Sequence, residues 1–283
     1  MMSSVALLVV TLALAAAVTA GGAGANGSPY SPGLDYGWEG VRAPTGEVRY
    51  VTLGTPKSTI VAAIRVRGGR VVRSRAVRGF FGVPLVAYDG TTAGLSGDGR
   101  TLVVASYGPV PGDEGTTRFL ALRAKSLKPY RRIELRGSWS FDALSPDGSR
   151  LYLVQHITAG PSPKYRVRVY DLVRGRLLPN AVIDRLVSKA IMGGNPATRV
   201  TTSDGRWAYT LYARQKGKPF VHALDTARHE AFCIDLPLRL GEAEQMRLRM
   251  RLRHDDLTIR LGNAKLAVVD MRSFVVHLGG HHG

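Results

Sequence analysis

Ser145-Pro146-Asp147-Gly148, followed by Ser149-Arg150-Leu151-Tyr152-Leu153-Val154, is the stretch that decides the fold. An Asp-Gly pair supplies the positive φ angles of a tight hairpin, and the apolar run after it reads as a strand. The same grammar recurs in Ser96-Gly97-Asp98-Gly99 before Arg100–Ala105, and in Ser203-Asp204-Gly205 before Arg206–Leu211. The Asp positions lie 49 and 57 residues apart, and Asp255, at a turn between two β-runs, follows Asp204 by 51. A period near 50 residues is the signature of a repeat architecture.

A second element runs in phase with the first. Val169-Tyr170-Asp171, Ala223-Leu224-Asp225 and Val268-Val269-Asp270 each end one apolar run and open a turn into the next. Ala121-Leu122-Arg123 holds the same place in an earlier copy, with Arg for Asp, and Pro44-Thr45-Gly46 sits about one period before Asp98. The unit is therefore strand, Asp-Gly turn, strand, loop, strand, Asp-led turn, strand. Four antiparallel strands per repeat make a propeller blade, and stacking buries both faces of each blade. That accounts for strands apolar on successive residues, such as Leu102-Val103-Val104-Ala105, and helical periodicity is hard to find. The expected fold is all-β, a β-propeller of about five four-stranded antiparallel blades. It spans 36–279, with blades near 36–86, 90–136, 139–186, 196–240 and 246–279. A β-sandwich is the alternative, although sandwiches do not usually repeat turn motifs in phase.

Residues 1–20 read as a signal peptide. Val5–Val18 is apolar apart from Thr11 and ends in Val18-Thr19-Ala20, although Met1–Ser4 lacks the usual Lys or Arg. Fourteen residues at ~1.5 Å rise reach ~21 Å, short of a ~30 Å hydrocarbon core. Residues 21–35 (GGAGANGSPYSPGLD) form a flexible Gly/Ser/Pro-rich lead-in, and 280–283 a short tail. No Cys follows the apolar run to carry a lipid, and no later stretch is apolar for 18 residues. A secreted or cell-envelope location with no membrane span after cleavage is expected. The single cysteine, Cys233, allows no internal disulfide, and in Ala231-Phe232-Cys233-Ile234 it reads as a small buried hydrophobe.

The repeats resemble a known class. GLSGDGRTLVVAS, FDALSPDGSRLYLVQH and PFVHALD are similar to YVTN-like and TolB-like bacterial propeller repeats, and more closely to uncharacterised exported propeller proteins of high-GC bacteria. The resemblance covers roughly residues 43–278. It implies the propeller fold and export, and it brings no activity with it.

Charge is the strongest functional signal. Lys+Arg total 39 against 21 Asp+Glu, a formal charge of +18. A basic surface attracts polyanions, although Arg outnumbers Lys 31 to 8, as GC-rich coding also produces. Met246–Arg253 (MRLRMRLR) places Arg247, Arg249, Arg251 and Arg253 on one strand face, with Asp255 and Asp256 as candidate neutralising partners. Arg65, Arg67, Arg70, Arg73 and Arg75 form a second strip, adjacent to the first if the ring closes. Charge protection of an edge strand is the structural counter-reading.

For catalysis, the loops at one end of the blades would bring Tyr107, Asp142, His156, Arg199 and Arg214 towards an axial funnel. A carboxylate, an imidazole and two guanidiniums there could orient an anion or polarise a carbonyl. The structural counter-reading is that Asp142 and His156 satisfy loop backbone and the arginines are solvated. His156, His222, His229, His254 and His277 have no metal-ligand spacing, and His281-His282 lies in the Gly-rich tail. His222 reads as a core histidine bonded to backbone. GxSxG, P-loop and dinucleotide motifs do not occur.

The expected function is a non-catalytic exported interaction module with no cofactor and no metal, binding an anionic envelope polymer or an extracytoplasmic protein. Nucleic acid is not the expected natural partner of an exported chain. The alternative is a propeller hydrolase or lyase acting on a lactone, glycan or small ester. A small-molecule or cofactor binder using the axial channel is a third reading.

Overall fold

The Asp-Gly turn is built the same way three times in the computed structural model, which describes residues 40–160 and 163–279. The signal segment, the lead-in and the tail with His281 and His282 lie outside the described residues. In each turn a hydroxyl donates to the Asp carboxylate at 2.6 Å: Ser96 to Asp98, Ser145 to Asp147 and Thr202 to Asp204. The carboxylate accepts the N–H two residues on, and the hydroxyl accepts the N–H five residues on from itself. In the third copy that hydroxyl belongs to Thr202, so the motif is Ser/Thr-x-Asp-Gly and Ser203 is the spacer. Only the glycine takes a positive φ (68°, 68° and 74° at Gly99, Gly148 and Gly205), which corrects the expectation that both central residues would. This is a turn ending in a left-handed glycine rather than a two-residue hairpin.

Twenty strands form five sheets among the described residues, four of them meanders of four consecutive strands. The first sheet holds β1 (Val41–Arg42), β2 (Val48–Gly54), β3 (Ser58–Arg65) and β4 (Val71–Arg78). The second holds β5 (Thr101–Ala105), β6 (Thr116–Arg123) and β7 (Lys128–Arg136). The third holds β8 (Trp139–Leu144), β9 (Arg150–Thr158), β10 (Lys164–Asp171) and β11 (Arg176–Ala181), with β12 (Met192–Gly193) added beside β10. The fourth runs from β13 (Asn195–Thr201) through β14 (Trp207–Ala213) and β15 (Phe220–Asp225) to β16 (Glu230–Asp235). The helix α1 (Glu242–Met246) leads into the fifth: β17 (Leu248–Arg253), β18 (Asp256–Leu261), β19 (Ala264–Asp270) and β20 (Val276–Leu278).

The second sheet has no continuous innermost strand. Isolated bridges Gly82↔Ala105 and Leu95↔Leu102 fill its place. Pro84 has no N–H to donate and Gly94 turns at φ 117°, so this segment cannot hold a regular ladder.

The Asp-led turns also repeat. The Oδ1 atoms of Asp171, Asp225 and Asp270 each accept two backbone N–H groups from the following turn. Arg123 keeps the turn without the carboxylate, because its carbonyl still accepts the Leu127 N–H at 2.7 Å. Two of these carboxylates are buried and paired with an arginine of the preceding Asp-Gly turn: Asp171 with Arg150 at 2.6 Å, and Asp225 with Arg206 at 2.9 Å. Burial alone would raise the Asp171 carboxyl, but the Arg174 N–H and the Arg150 guanidinium outweigh it and hold the group below its usual value.

The alternation of each strand decides what it packs against. Leu102 and Val104 face the first sheet, while Val103 and Ala105 face the third. Leu151 and Leu153 face the second sheet, while Tyr152 and Val154 face the fourth. Ala208 and Tyr212 face the third, while Tyr209 and Leu211 face the fifth. The middle three sheets are therefore apolar on both faces, as the consecutive hydrophobics predict. The hydrophobic clusters join each sheet to the next in sequence, and among the described residues none joins the first to the fifth.

The inner edges of the middle sheets meet directly. Asp98 N–H donates to the Pro146 carbonyl and Tyr88 N–H to the Pro196 carbonyl, both at 2.9 Å. Gly97 lies so close to the fourth sheet that a Cβ there would stand 2.0 Å from the Asp204 carbonyl oxygen. The second and fourth sheets thus touch across the edge of the third.

Candidate functional site

Two regions hold the sequence-derived candidates: a cavity among the middle sheets and the open face of the fifth.

Asp142 on β8 and Arg199 on β13 come together across the third and fourth sheets, 3% and 5% exposed. The Arg199 guanidinium donates to the Asp142 carboxylate Oδ1 and to its backbone carbonyl. Asp142 Oδ2 is buried without a hydrogen-bond partner. His156 on β9 shares the cavity wall with Asp142, and its Nε2 lies 3.0 Å from Ser140 Oγ. Burial pushes the His156 pKa down to about 4, so the imidazole is neutral at pH 7. Leu85, Val86, Pro196 and Tyr212 close the remainder. The cavity measures about 40 Å³, room for a few waters and too small for a lactone or sugar ring.

The structure therefore brings three of the five funnel candidates near one small cavity, as a buried Asp142–Arg199 ion pair and a separate Ser140–His156 contact. Tyr107 lies elsewhere, in a groove of about 640 Å³ between the first two sheets, with Phe80, Arg78, Arg118 and Arg132. Arg214 lies over the Phe220 ring at 4.2 Å and pairs with Asp235 at 3.1 Å.

The basic segment differs from its expected geometry in one place. Arg247 caps the C-terminus of α1 at φ −90°, ψ −6°, so the strand begins at Leu248. Arg249, Arg251 and Arg253 share one face of β17, and register places Arg260 opposite Arg249 on that face. Leu248 and Met250, on the other face, are buried against the fourth sheet. Asp255 pairs with Arg272 at 2.5 Å rather than with the arginine row, while register places Asp256 opposite Arg253 on the same face. In the first sheet, Arg65 ends β3, Arg67 and Arg70 lie in the turn, and Arg73 and Arg75 are exposed on β4. Among the described residues, none of the nine strip arginines has a carboxylate within 4 Å. No hydrophobic cluster joins the two strips.

His222 is 1% exposed, and its Nδ1 faces the Cys233 thiol at 3.5 Å. It was expected to bond backbone; its partner is sulfur. Burial, then the neighbouring Asp184, pushes the Cys233 thiol far up, so it is no ready nucleophile at neutral pH.

No protein-family model matches the sequence, and no curated protein matches it. Among solved structures, the chain is similar to the β-propeller domain of the Trilobed protease from Pyrococcus furiosus, at 9% identity and TM-score 0.47, over 86% of this chain and 71% of that one. It is also similar to BamB from Moraxella catarrhalis, at 15% identity and TM-score 0.41, over 84% of this chain and 63% of that one. TolB from Acinetobacter baumannii is similar at 12% identity and TM-score 0.40; the chain's match covers 86% of this chain and 54% of that one. No sequence family and no bacterial group is identified. At these TM-scores the likeness says nothing of ligand or activity. No helix among the described residues is long and apolar enough to cross a membrane.

Proposed function

We propose that the five sheets are the blades of an exported propeller, arranged as an arc that ends in the fifth sheet, and that the basic outer face of this sheet binds an anionic cell-envelope polymer. One observation carries this reading. The fifth sheet is apolar where it meets the fourth and bears Arg249, Arg251, Arg253 and Arg260 on the opposite face. A blade awaiting another blade would be apolar there, as Val103 and Ala105 are in the second sheet. Guanidiniums along β17 recur every ~6.6 Å, a spacing suited to a chain of phosphates or carboxylates. In the first sheet Arg73 and Arg75 pair in register with Ala63 and Val61, which pack towards the second sheet, so its arginines lie at the rim of that contact and not on the outer face, where Val51 and Ala62 are buried. An extracytoplasmic protein with an acidic surface would meet the same chemistry.

The hydrolase alternative has the Ser140–His156 contact in its favour and the 40 Å³ cavity against it. The test is titration of the protein with labelled polyphosphate at rising salt, beside a variant carrying Arg249→Gln, Arg251→Gln, Arg253→Gln and Arg260→Gln. The reading expects affinity to fall with salt and the variant to lose most of it. An affinity unchanged in the variant would remove the fifth sheet from the site.

A further inference from the structure

We propose that Cys233, His222 and Met192 form a binding site for a soft monovalent metal ion such as Cu(I). The site is separate from the arginine face and does not rest on the polymer-binding reading.

Three strands build it. His222 on β15 and Cys233 on β16 are register partners, which sets them side by side on one face of the fourth sheet. Met192 on β12, paired with Tyr165 of the third sheet, packs against that face. The Cys233 sulfur lies 3.5 Å from Met192 Sδ and 3.5 Å from His222 Nδ1. Metal–donor bonds of about 2.0–2.3 Å subtending about 110–120° hold their donors roughly 3.4–4.0 Å apart. Both separations are already within that range, so a small ion could be seated with little rearrangement.

A second observation points to a ligand. His222 is 1% exposed, and the one partner of its ring nitrogens among the described residues is the Cys233 sulfur on Nδ1, so that nitrogen faces the site with only a weak contact. A buried imidazole satisfied only by a weak thiol contact is costly as a packing element. As a ligand through Nδ1 it would be held as the Nε2–H tautomer.

The donor set selects the ion. Among the described residues no three of His, Cys, Asp or Glu gather as a metal site, so the third donor here is a thioether. Thiolate and thioether together favour Cu(I) over hard dications. Met192 also lines an open cleft of about 310 Å³ with Lys164, Arg214 and Lys216, whose charges repel a dication more strongly than a monovalent ion. On binding, the Cys233 S–H bond breaks, a sulfur–metal bond forms and the proton leaves to solvent. No electron is transferred. Asp184, whose Oδ1 accepts the Cys233 N–H at 3.2 Å, places a carboxylate beside the site.

The experiment is anaerobic titration of the full chain with Cu(I) against a chromophoric competing chelator. It is run on the native sequence, on His281→Asn/His282→Asn to remove the tail histidines, on Cys233→Ser and on Met192→Leu. The last keeps side-chain volume, and circular dichroism confirms that each variant is folded. One equivalent should bind to the native chain and equally to the tail variant, with thiolate-to-metal absorption in the near ultraviolet. Cys233→Ser should lose that equivalent, and Met192→Leu should weaken it about tenfold or more. No competitive binding by the native chain, or an unchanged affinity in either Cys233→Ser or Met192→Leu, would overturn the site.

Discussion

Replacing Asp142 by Ala separates a structural network from a catalytic one. The substitution removes one half of an ion pair whose other half, Arg199, is 5% exposed and stays charged at any accessible pH. Breaking a buried pair by deleting one partner costs about 3–5 kcal/mol, because the remaining charge is left without compensation. The bond from Arg199 to the Asp142 carbonyl survives the substitution, so the loss should fall near the lower end, about 3 kcal/mol. With a urea m-value of about 3 kcal/mol/M, that lowers the unfolding midpoint by about 1 M. Urea titration followed by tryptophan fluorescence measures it directly. Adding Arg199→Met to Asp142→Ala removes the stranded charge, and the double variant should recover more than half of the Asp142→Ala loss, leaving it well short of the sum of the two singles. A single variant within about 0.2 M of the parent midpoint, or a double variant whose loss is the sum of the singles, would refute the network reading.

Glycine turns give a paired comparison: Gly148 and Gly46 both have positive φ, but a Cβ on Gly148 would stand 2.5 Å from Thr101 Oγ1 while Gly46 faces open space. Gly46→Ala should cost about 1 kcal/mol by thermal unfolding and Gly148→Ala at least about 1 kcal/mol more. Thr202→Ala removes the hydroxyl that serves Asp204 and the Trp207 N–H, a loss of about 1–2 kcal/mol that Ser203→Ala should not reproduce. His156 is held neutral, so its contribution is fully present above its unfolded pKa near 6.5 and is lost as pH falls towards about 4. That difference corresponds to up to about 3 kcal/mol, and His156→Gln should flatten the stability–pH curve across this window. In the metal-free protein, the Cys233 thiol should resist alkylation at pH 7 until the chain is unfolded, read by mass spectrometry at increasing urea.

Repeats were legible because turn chemistry is local. Asp98, Asp147 and Asp204 each organise contacts within a few residues, so their spacing betrays the sheets. Apolar runs such as Leu102–Ala105 were legible for the same reason, since burial of successive residues requires cover on both faces. In the third copy Thr202 and Ser203 both offer a hydroxyl, and backbone geometry alone chooses Thr202. The start of the arginine strand was misplaced because α1 absorbs Met246 and leaves Arg247 at its C-terminus. The Asp142–Arg199 pair joins residues 57 apart in different sheets. Met192, Cys233 and His222 converge over 41 and 11 residues with a thioether among them, which no histidine spacing rule detects.

The central claim is that the basic outer face of the fifth sheet holds the protein on an anionic envelope polymer. The most direct measurement is retention of the purified protein on fractionated cell envelope at low salt and at ~0.5 M salt, where the Debye length is about 4–5 Å. The account predicts retention at low salt, release at high salt, and weak retention of the Arg249/Arg251/Arg253/Arg260→Gln variant at either. Retention indifferent to salt, or no retention at low salt, would contradict it.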